Sequence, residues 1–164
     1  MLPMSDEMIA ATVCTAMMRL GTRMAALFDQ RLAAFEITQA QFRVLLALWK
    51  EDEGEGITPS ALAKSLLIER ATISVLTQRM LERDLLMRSP GENRRSFRLR
   101  MTAKGEALLW TVIPHACALA DETLAANTSE DIRSALAFLE GLEARLREMM
   151  GADGGTPTAT REEI

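Results

Sequence analysis

The sequence predicts a mostly α-helical fold that carries one small β-hairpin. Three observations lead there. The chain is 48% hydrophobic with only five Phe, two Trp and no Tyr, so Leu, Ala and Met must build the core, and these residues favour helices. Apolar residues recur at spacings of three and four near both ends, the mark of amphipathic helices. Only residues 85–88 and 97–101 read as strands, and the Ser, Pro, Gly and Asn between them read as a tight turn.

From 6 to 35, Ile9, Val13, Met17, Leu20, Met24, Leu27, Phe28 and Leu32 form the stripe of one long helix. Thr38 is followed three residues later by Gln41, the spacing of a capping box. The helix it opens carries Phe42, Leu45, Leu46 and Trp49 and ends in the acidic, glycine-containing loop 51–56. Thr58 and Pro59 read as an N-cap and a first-turn proline. They open a short helix with Ala61, Leu62 and Leu66 inward, broken at 68–70.

The next helix starts at Glu69 or Ala71 and runs to Arg83. Helical periodicity puts Ile73, Leu76, Thr77 and Met80 on one side and Ala71, Val75, Gln78 and Glu82 on the other, flanked by Ser74 and Arg79. The strand 85–88, the loop 89–96 and the strictly alternating strand 97–101 follow. Thr102 caps a long helix, bent or interrupted at Pro114, that reaches Leu124. A last helix runs from about 129 to 150, and 151–164 reads as a disordered tail.

The chain as a whole has 19 basic and 23 acidic residues, which by itself argues against nucleic acid as a partner. The distribution reverses that argument. Residues 58–104 hold ten basic groups against four acidic ones, and the remainder holds nine against nineteen. A basic block framed by acidic arms is the footprint of a localised phosphate-binding surface, with a merely solvated charged face as the alternative.

No apolar run approaches the roughly 20 residues of a membrane helix and no targeting segment is apparent, so a cytoplasmic protein without a membrane partner is expected. Cys14 and Cys117, with His115 as the one histidine, cannot form the usual four-ligand zinc sites. No metal, no cofactor and no catalytic residues are expected, since neither a phosphate loop nor a nucleophile motif is present.

Two helices joined by a short turn and followed by a basic hairpin have the layout of a winged helix-turn-helix. In that arrangement the second helix enters a major groove of double-stranded DNA and the hairpin reaches the adjoining backbone or minor groove.

The residues that fill this layout resemble the MarR family of bacterial regulators, named for multiple antibiotic resistance. The resemblance covers about 27–105. Residues 28–32 leading to 37–45 look like the family's first-to-second helix junction, and 71–80 with 83–88 look like its reading helix and exit. Asn93, Arg94, Arg95 and Ser96, followed by 99–105, look like its wing and the helix after it. Three positions depart from the family pattern. Asn93 replaces an acidic residue that normally pairs within the wing, Asp84 stands where glycine is usual, and Val75 stands where polar or basic residues are frequent.

Several residues are candidate DNA contacts. Gln78 suits adenine and Arg70 or Arg79 suits guanine, with a phosphate clamp the alternative for Arg79. Val75 is either a thymine-methyl contact or an apolar neighbour of a phosphate contact. Ser60, Ala71, Thr72 and Ser74 sit near helix starts, where hydroxyls and free N–H groups meet phosphates; Thr58 reads as a cap. Arg94 and Arg95 suit a narrow minor groove.

A homodimer on a palindromic operator is expected, because one winged helix buries too little surface for tight recognition. Ile9, Val13 and Met17 at one end and Leu136, Leu139, Leu142 and Leu146 at the other supply the apolar surface, as the resemblance also implies. The organisation is therefore 1–36 and 105–150 as dimerisation helices around a DNA-binding domain at 37–104, with the tail at 151–164.

The resemblance further implies a repressor released by a small ligand, often an aromatic carboxylate. Arg19 and Arg23 are candidates to pair with such a carboxylate, and Met17 and Phe42, with Met18 and Met24, to form an apolar wall; ordinary surface and core roles are the alternative. Two further alternatives stand beside this reading: redox sensing through Cys14, against an inert thiol, and a winged-helix adaptor that binds protein rather than DNA.

Overall fold

The computed structural model describes residues 6–91 and 96–152 of the chain, with side chains from Met8 to Met150. Asn93, Arg94 and Arg95 at the expected wing tip lie outside the described residues. So does the expected tail apart from Gly151 and Ala152, which end the last helix. The chain divides into two compact units, Met1–Leu119 and Ala120–Ile164.

The first unit starts with α1 (Asp6–Leu32), which gives way to a 3-10 turn, Ala33–Phe35, rather than continuing as one helix to 35. Leu32 is fully buried, and Glu36 reverses the chain with a left-handed backbone at φ 53°. Helix α2 (Gln39–Glu51) has the complete capping box: Gln41 N donates to Thr38 Oγ1 at 3.2 Å, and Thr38 N donates to Gln41 Oε1 at 3.0 Å. Asp29 Oδ1 accepts the Gln39 N–H at 2.6 Å, pinning α1 to the start of α2.

Phe42, Val44, Leu45 and Leu48 of α2 enter the core, but Trp49 does not. It is exposed and meets Trp110 edge-on, ring centroids 5.4 Å apart.

Helix α3 (Pro59–Leu66) starts from Thr58, whose hydroxyl accepts the Ala61 N–H at 3.2 Å. Its inward face is Leu62 and Ala63 with Leu66 one helical turn on, and Ala61 is exposed where inward packing was expected. Helix α4 (Arg70–Glu82) buries Ile73, Thr77 and Met80. The Thr77 hydroxyl donates to the Ile73 carbonyl at 2.8 Å, which satisfies this buried polar group.

Strands β1 (Leu86–Pro90) and β2 (Phe97–Met101) pair antiparallel from Leu86↔Met101 to Pro90↔Phe97. Ser89 and Pro90, expected in the loop, thus belong to β1. Among the described residues the sheet has two strands, so β1 lies at an edge, where the proline's missing N–H is tolerated. Ile57 bridges to Leu99 through bonds of 2.9 and 2.8 Å, extending the sheet at its base.

Helix α5 (Ala103–Leu124) is continuous through Pro114 and crosses from the first unit into the second. Gly105 in its first turn is buried, and any Cβ there would collide with the Leu85 carbonyl. Only glycine permits this close approach.

In the second unit, α6 (Ser129–Ala152) is capped by Thr128. Thr128 Oγ1 accepts the Asp131 N–H at 3.1 Å and Asp131 Oδ2 accepts the Thr128 N–H at 3.0 Å. The Thr128 hydroxyl also donates to Asp131 Oδ2 at 2.6 Å, and this bond together with the Thr128 amide holds the Asp131 carboxyl below the ordinary aspartate value. Arg147–Glu143 and Arg145–Glu148 pair along α6, while Leu136, Phe138, Leu139 and Leu146 remain exposed. Among the described residues no helix is long and apolar enough to cross a membrane.

Candidate nucleic-acid interface

Helices α3 and α4 form the two arms of a helix-turn-helix. The turn is made by Leu67, whose left-handed backbone (φ 54°) returns its N–H to the carbonyls of Ala63 and Lys64. Ile68 N bonds the Ala63 carbonyl at 3.0 Å, closing the motif that ends α3. With Ile73, Thr77 and Met80 fixed inward, helical periodicity turns the opposite face of α4 to solvent. Arg70, Ala71, Thr72, Ser74, Val75, Gln78 and Arg79 are all exposed there, as is Ser60 on α3.

Val75 is 57% exposed, an apolar side chain unshielded among polar ones. Glu69, at the N-cap of α4, makes no side-chain capping bond. The first-turn amides of a helix have no intrahelical acceptor, so this end of α4 suits an incoming phosphate oxygen.

The end of α4 is fixed by backbone and side-chain hydrogen bonds. Leu85 N bonds the Met80 carbonyl at 2.9 Å around Asp84, which is left-handed at φ 60°. The Asp84 carbonyl accepts from Thr102 Oγ1 at 2.7 Å, and the Arg83 carbonyl accepts from Lys104 Nζ at 2.7 Å, so α5 holds the exit of the helix. Arg83 also reaches the other way, donating to the Glu36 carbonyl and pairing with its carboxylate at 3.8 Å.

The hairpin is tied to the α2–α3 loop by a cluster absent from the sequence reading. Asp52 Oδ1 accepts the N–H groups of Gly54 and Gly56 at 2.8 and 2.6 Å, and Asp52 Oδ2 lies 3.6 Å from Arg100 Nε. Arg98 donates to the Gly56 carbonyl at 3.0 Å. Burial pushes the Asp52 carboxyl up, but the two glycine amides and the Arg100 guanidinium outweigh it and hold the carboxyl below its ordinary value. Gly56 is required here, since its φ of 82° and the nearby Arg100 and Leu99 leave no room for a side chain.

One hydrogen-bonded chain joins the hairpin to α4. Arg88 Nη2 donates to Gln78 Oε1 at 3.1 Å, Gln78 Nε2 donates to Glu82 Oε1 at 3.0 Å, and the Arg88 guanidinium lies over the Phe97 ring at 4.6 Å. Sequence reasoning named Gln78 but not Arg88, because no spacing rule links a helix position to a strand position ten residues later.

Away from this surface, α1 and α2 enclose a hollow of about 330 Å³. Phe42 lines it with Met24, Phe28 and Leu46, and among the described residues Arg43 is the one charged residue in its lining. Met17, Arg19 and Arg23 lie on α1 but are not among the lining residues. Arg43 was not singled out in the sequence; it sits one residue after Phe42, and only its bond to the Leu66 carbonyl at 2.8 Å distinguishes it. Cys14 and Cys117 are both free and exposed. No group of metal-ligating side chains occurs among the described residues.

Comparison with known proteins places this geometry. The family model described as "MarR family" matches residues 37–97. The HTH-type transcriptional repressor NicR of Pseudomonas putida is 30% identical over 132 residues, covering 80% of this chain and 77% of NicR. BpsR of Bordetella bronchiseptica, whose DNA binding is regulated by 6-hydroxynicotinic acid, aligns with a TM-score of 0.70 at 26% identity over 80% of this chain and 93% of BpsR. S. aureus MepR in complex with DNA shares the fold at a TM-score of 0.72 and 21% identity, over 80% of this chain and 96% of MepR.

Proposed function

Because this chain belongs to the MarR family of DNA-binding transcription regulators, which are not enzymes, we propose that it acts as a cytoplasmic, homodimeric repressor of a palindromic operator, released by a small aromatic acid. The observation that carries the DNA reading is the outward face of α4, with Arg70, Gln78 and Arg79 exposed beside a basic hairpin. Residues 37–104 are the DNA-binding part, while 1–36 and 105–150 serve pairing.

Within that division, α4 enters the major groove. Gln78 reads adenine, Arg70 takes guanine or phosphate, and Arg79 does one or the other at its own position. Val75 meets a thymine methyl. Ser60, Thr72, Ser74 and the backbone at Ala71 approach phosphates, and Arg94 and Arg95 reach the minor groove.

The effector is a ring-bearing carboxylate of the 6-hydroxynicotinic acid type. This reading is supported by the regulation of BpsR and by the α1–α2 hollow, whose apolar wall of Met24, Phe28, Phe42 and Leu46 is completed by the Arg43 cation. The hollow's volume of about 330 Å³ lies at the lower end of ligand pockets, adequate for a single substituted ring.

The test is a titration of the purified protein against DNA from its own upstream region at several salt concentrations, with and without 6-hydroxynicotinate. Specific binding that weakens steeply with salt, and releases on adding the acid, is the expected result. Salt-insensitive binding, or no enrichment of any sequence from a random pool, would remove the DNA reading; binding indifferent to the acid would remove the effector class alone.

A further inference from the structure

We propose that Arg88 on the hairpin is a positioning residue that sets the orientation of the Gln78 amide, and through it the base preference of α4; this rests on Gln78 acting as a base reader. A glutamine amide can turn over with almost no change of shape, exchanging its donor and acceptor ends. Adenine needs the acceptor towards its N6 amine and the donor towards N7. A glutamine free to turn over therefore discriminates poorly.

Here both ends of the amide are assigned by their partners. Arg88 carries only donors, so the group it faces at 3.1 Å must be Oε1. A carboxylate carries only acceptors, so the group that faces Glu82 Oε1 at 3.0 Å must be Nε2. Each bond uses one lone pair or one N–H. The amide retains one of each, the pair that adenine takes.

Arg88 is itself held. Its guanidinium lies 4.6 Å from the centroid of the Phe97 ring, and Phe97 pairs with Pro90 across the hairpin. A planar cation stacked on an aromatic face keeps its donor fork in one plane. The orientation of a side chain on α4 is thus set from two strands of the hairpin, through a contact that touches no base.

Operators are selected from a randomised DNA pool with the full-length wild type and with Gln78→Ala, Arg88→Met, Arg88→Lys and Gln78→Ala/Arg88→Met. Arg88→Met retains a stem over Phe97 but has no donor; Arg88→Lys retains a charge and a donor. The expected result is that Arg88→Met loses preference by about tenfold at the same base pairs as Gln78→Ala. Arg88→Lys recovers part of it, and the double variant loses no more preference than Gln78→Ala.

A uniform loss of affinity in Arg88→Met, with shallower salt dependence and intact preference, would mean that Arg88 is only a phosphate contact, and would overturn the inference. An unchanged preference in Gln78→Ala would remove Gln78 as a reader and the inference with it. That outcome is separable, because it appears in the variant that leaves Arg88 in place.

Discussion

Arg43, the cation of the α1–α2 hollow, donates to the carbonyl of Leu66 at 2.8 Å, the last residue of α3 before the left-handed turn into α4. The hollow and the turn of the helix-turn-helix therefore share one side chain. A carboxylate entering the hollow competes for Arg43 with a neutral carbonyl, and it brings an opposite charge and two oxygens that the guanidinium fork can meet in parallel, where the carbonyl offers one. Occupancy would withdraw Arg43 from the turn.

Arg43→Ala is accordingly expected to weaken binding of 6-hydroxynicotinate at least tenfold in calorimetry and to abolish acid-induced release of the operator. Arg43→Lys should fall between, since a lysine supplies the charge without the planar fork. Ligand affinity unchanged in Arg43→Ala would place the acid elsewhere.

Asp84 adopts a left-handed backbone, φ 60°, at the exit of α4. This is the position where the family usually has glycine. The conformation strains any side chain, and the carbonyl bond to Thr102 at 2.7 Å helps hold it. Asp84→Gly should stabilise the protein by about 0.5–1 kcal/mol, the relief of strain exceeding the added freedom of the unfolded chain. Thermal melts should show a midpoint a few degrees higher with operator affinity unchanged. A lower midpoint would show that the aspartate side chain contributes more than its backbone costs.

Where a signal is local, the sequence carried it. Thr38 with Gln41 and Thr58 with Pro59 announce their helices because a cap and its partner lie within one turn. The outward face of α4 follows from the spacing of Ile73, Thr77 and Met80. What stayed hidden depends on distant parts of the chain meeting. Trp49 meets Trp110 at the surface, 61 positions away in the chain, and Arg43, Asp52 and Arg88 take their roles from Leu66, Arg100 and Gln78. Ala61 and Ala63 are equally small, so composition could not tell which one the tertiary packing would bury.

The Asp52 cluster makes the hairpin's anchorage sensitive to acid. Its carboxyl is held below the ordinary aspartate value of 3.8 in the folded protein. The stabilisation is therefore complete at pH above that value and is lost as pH falls through the lower folded value. Asp52→Asn keeps an acceptor for the glycine amides but loses the charge facing Arg100, and should cost about 1 kcal/mol near neutrality. Melts of wild type and variant should differ by a constant few degrees from pH 7 to 5 and converge only as pH falls below the ordinary aspartate value and through the lower folded one. A gap that persisted to the lowest pH would show that the carboxylate charge is not what holds the loop to β2.

The pairing of two chains can be tested on α6, where Leu136, Leu139 and Leu146 are 55%, 51% and 55% exposed. Their spacing places them along one side of the helix, and leaving such a stripe in water forgoes about 25 cal/mol for each Å² of apolar surface that a partner would cover. Leu139→Glu introduces a charge into this stripe at a position that is half exposed in the single chain. It should separate the dimer in sedimentation experiments without altering the helical spectrum. Operator affinity should fall by about a hundredfold or more, since a lone winged helix reaches only one half-site. A variant that still sedimented as a dimer would show that α6 does not carry the pairing and would direct the search to Ile9 and Val13 on α1.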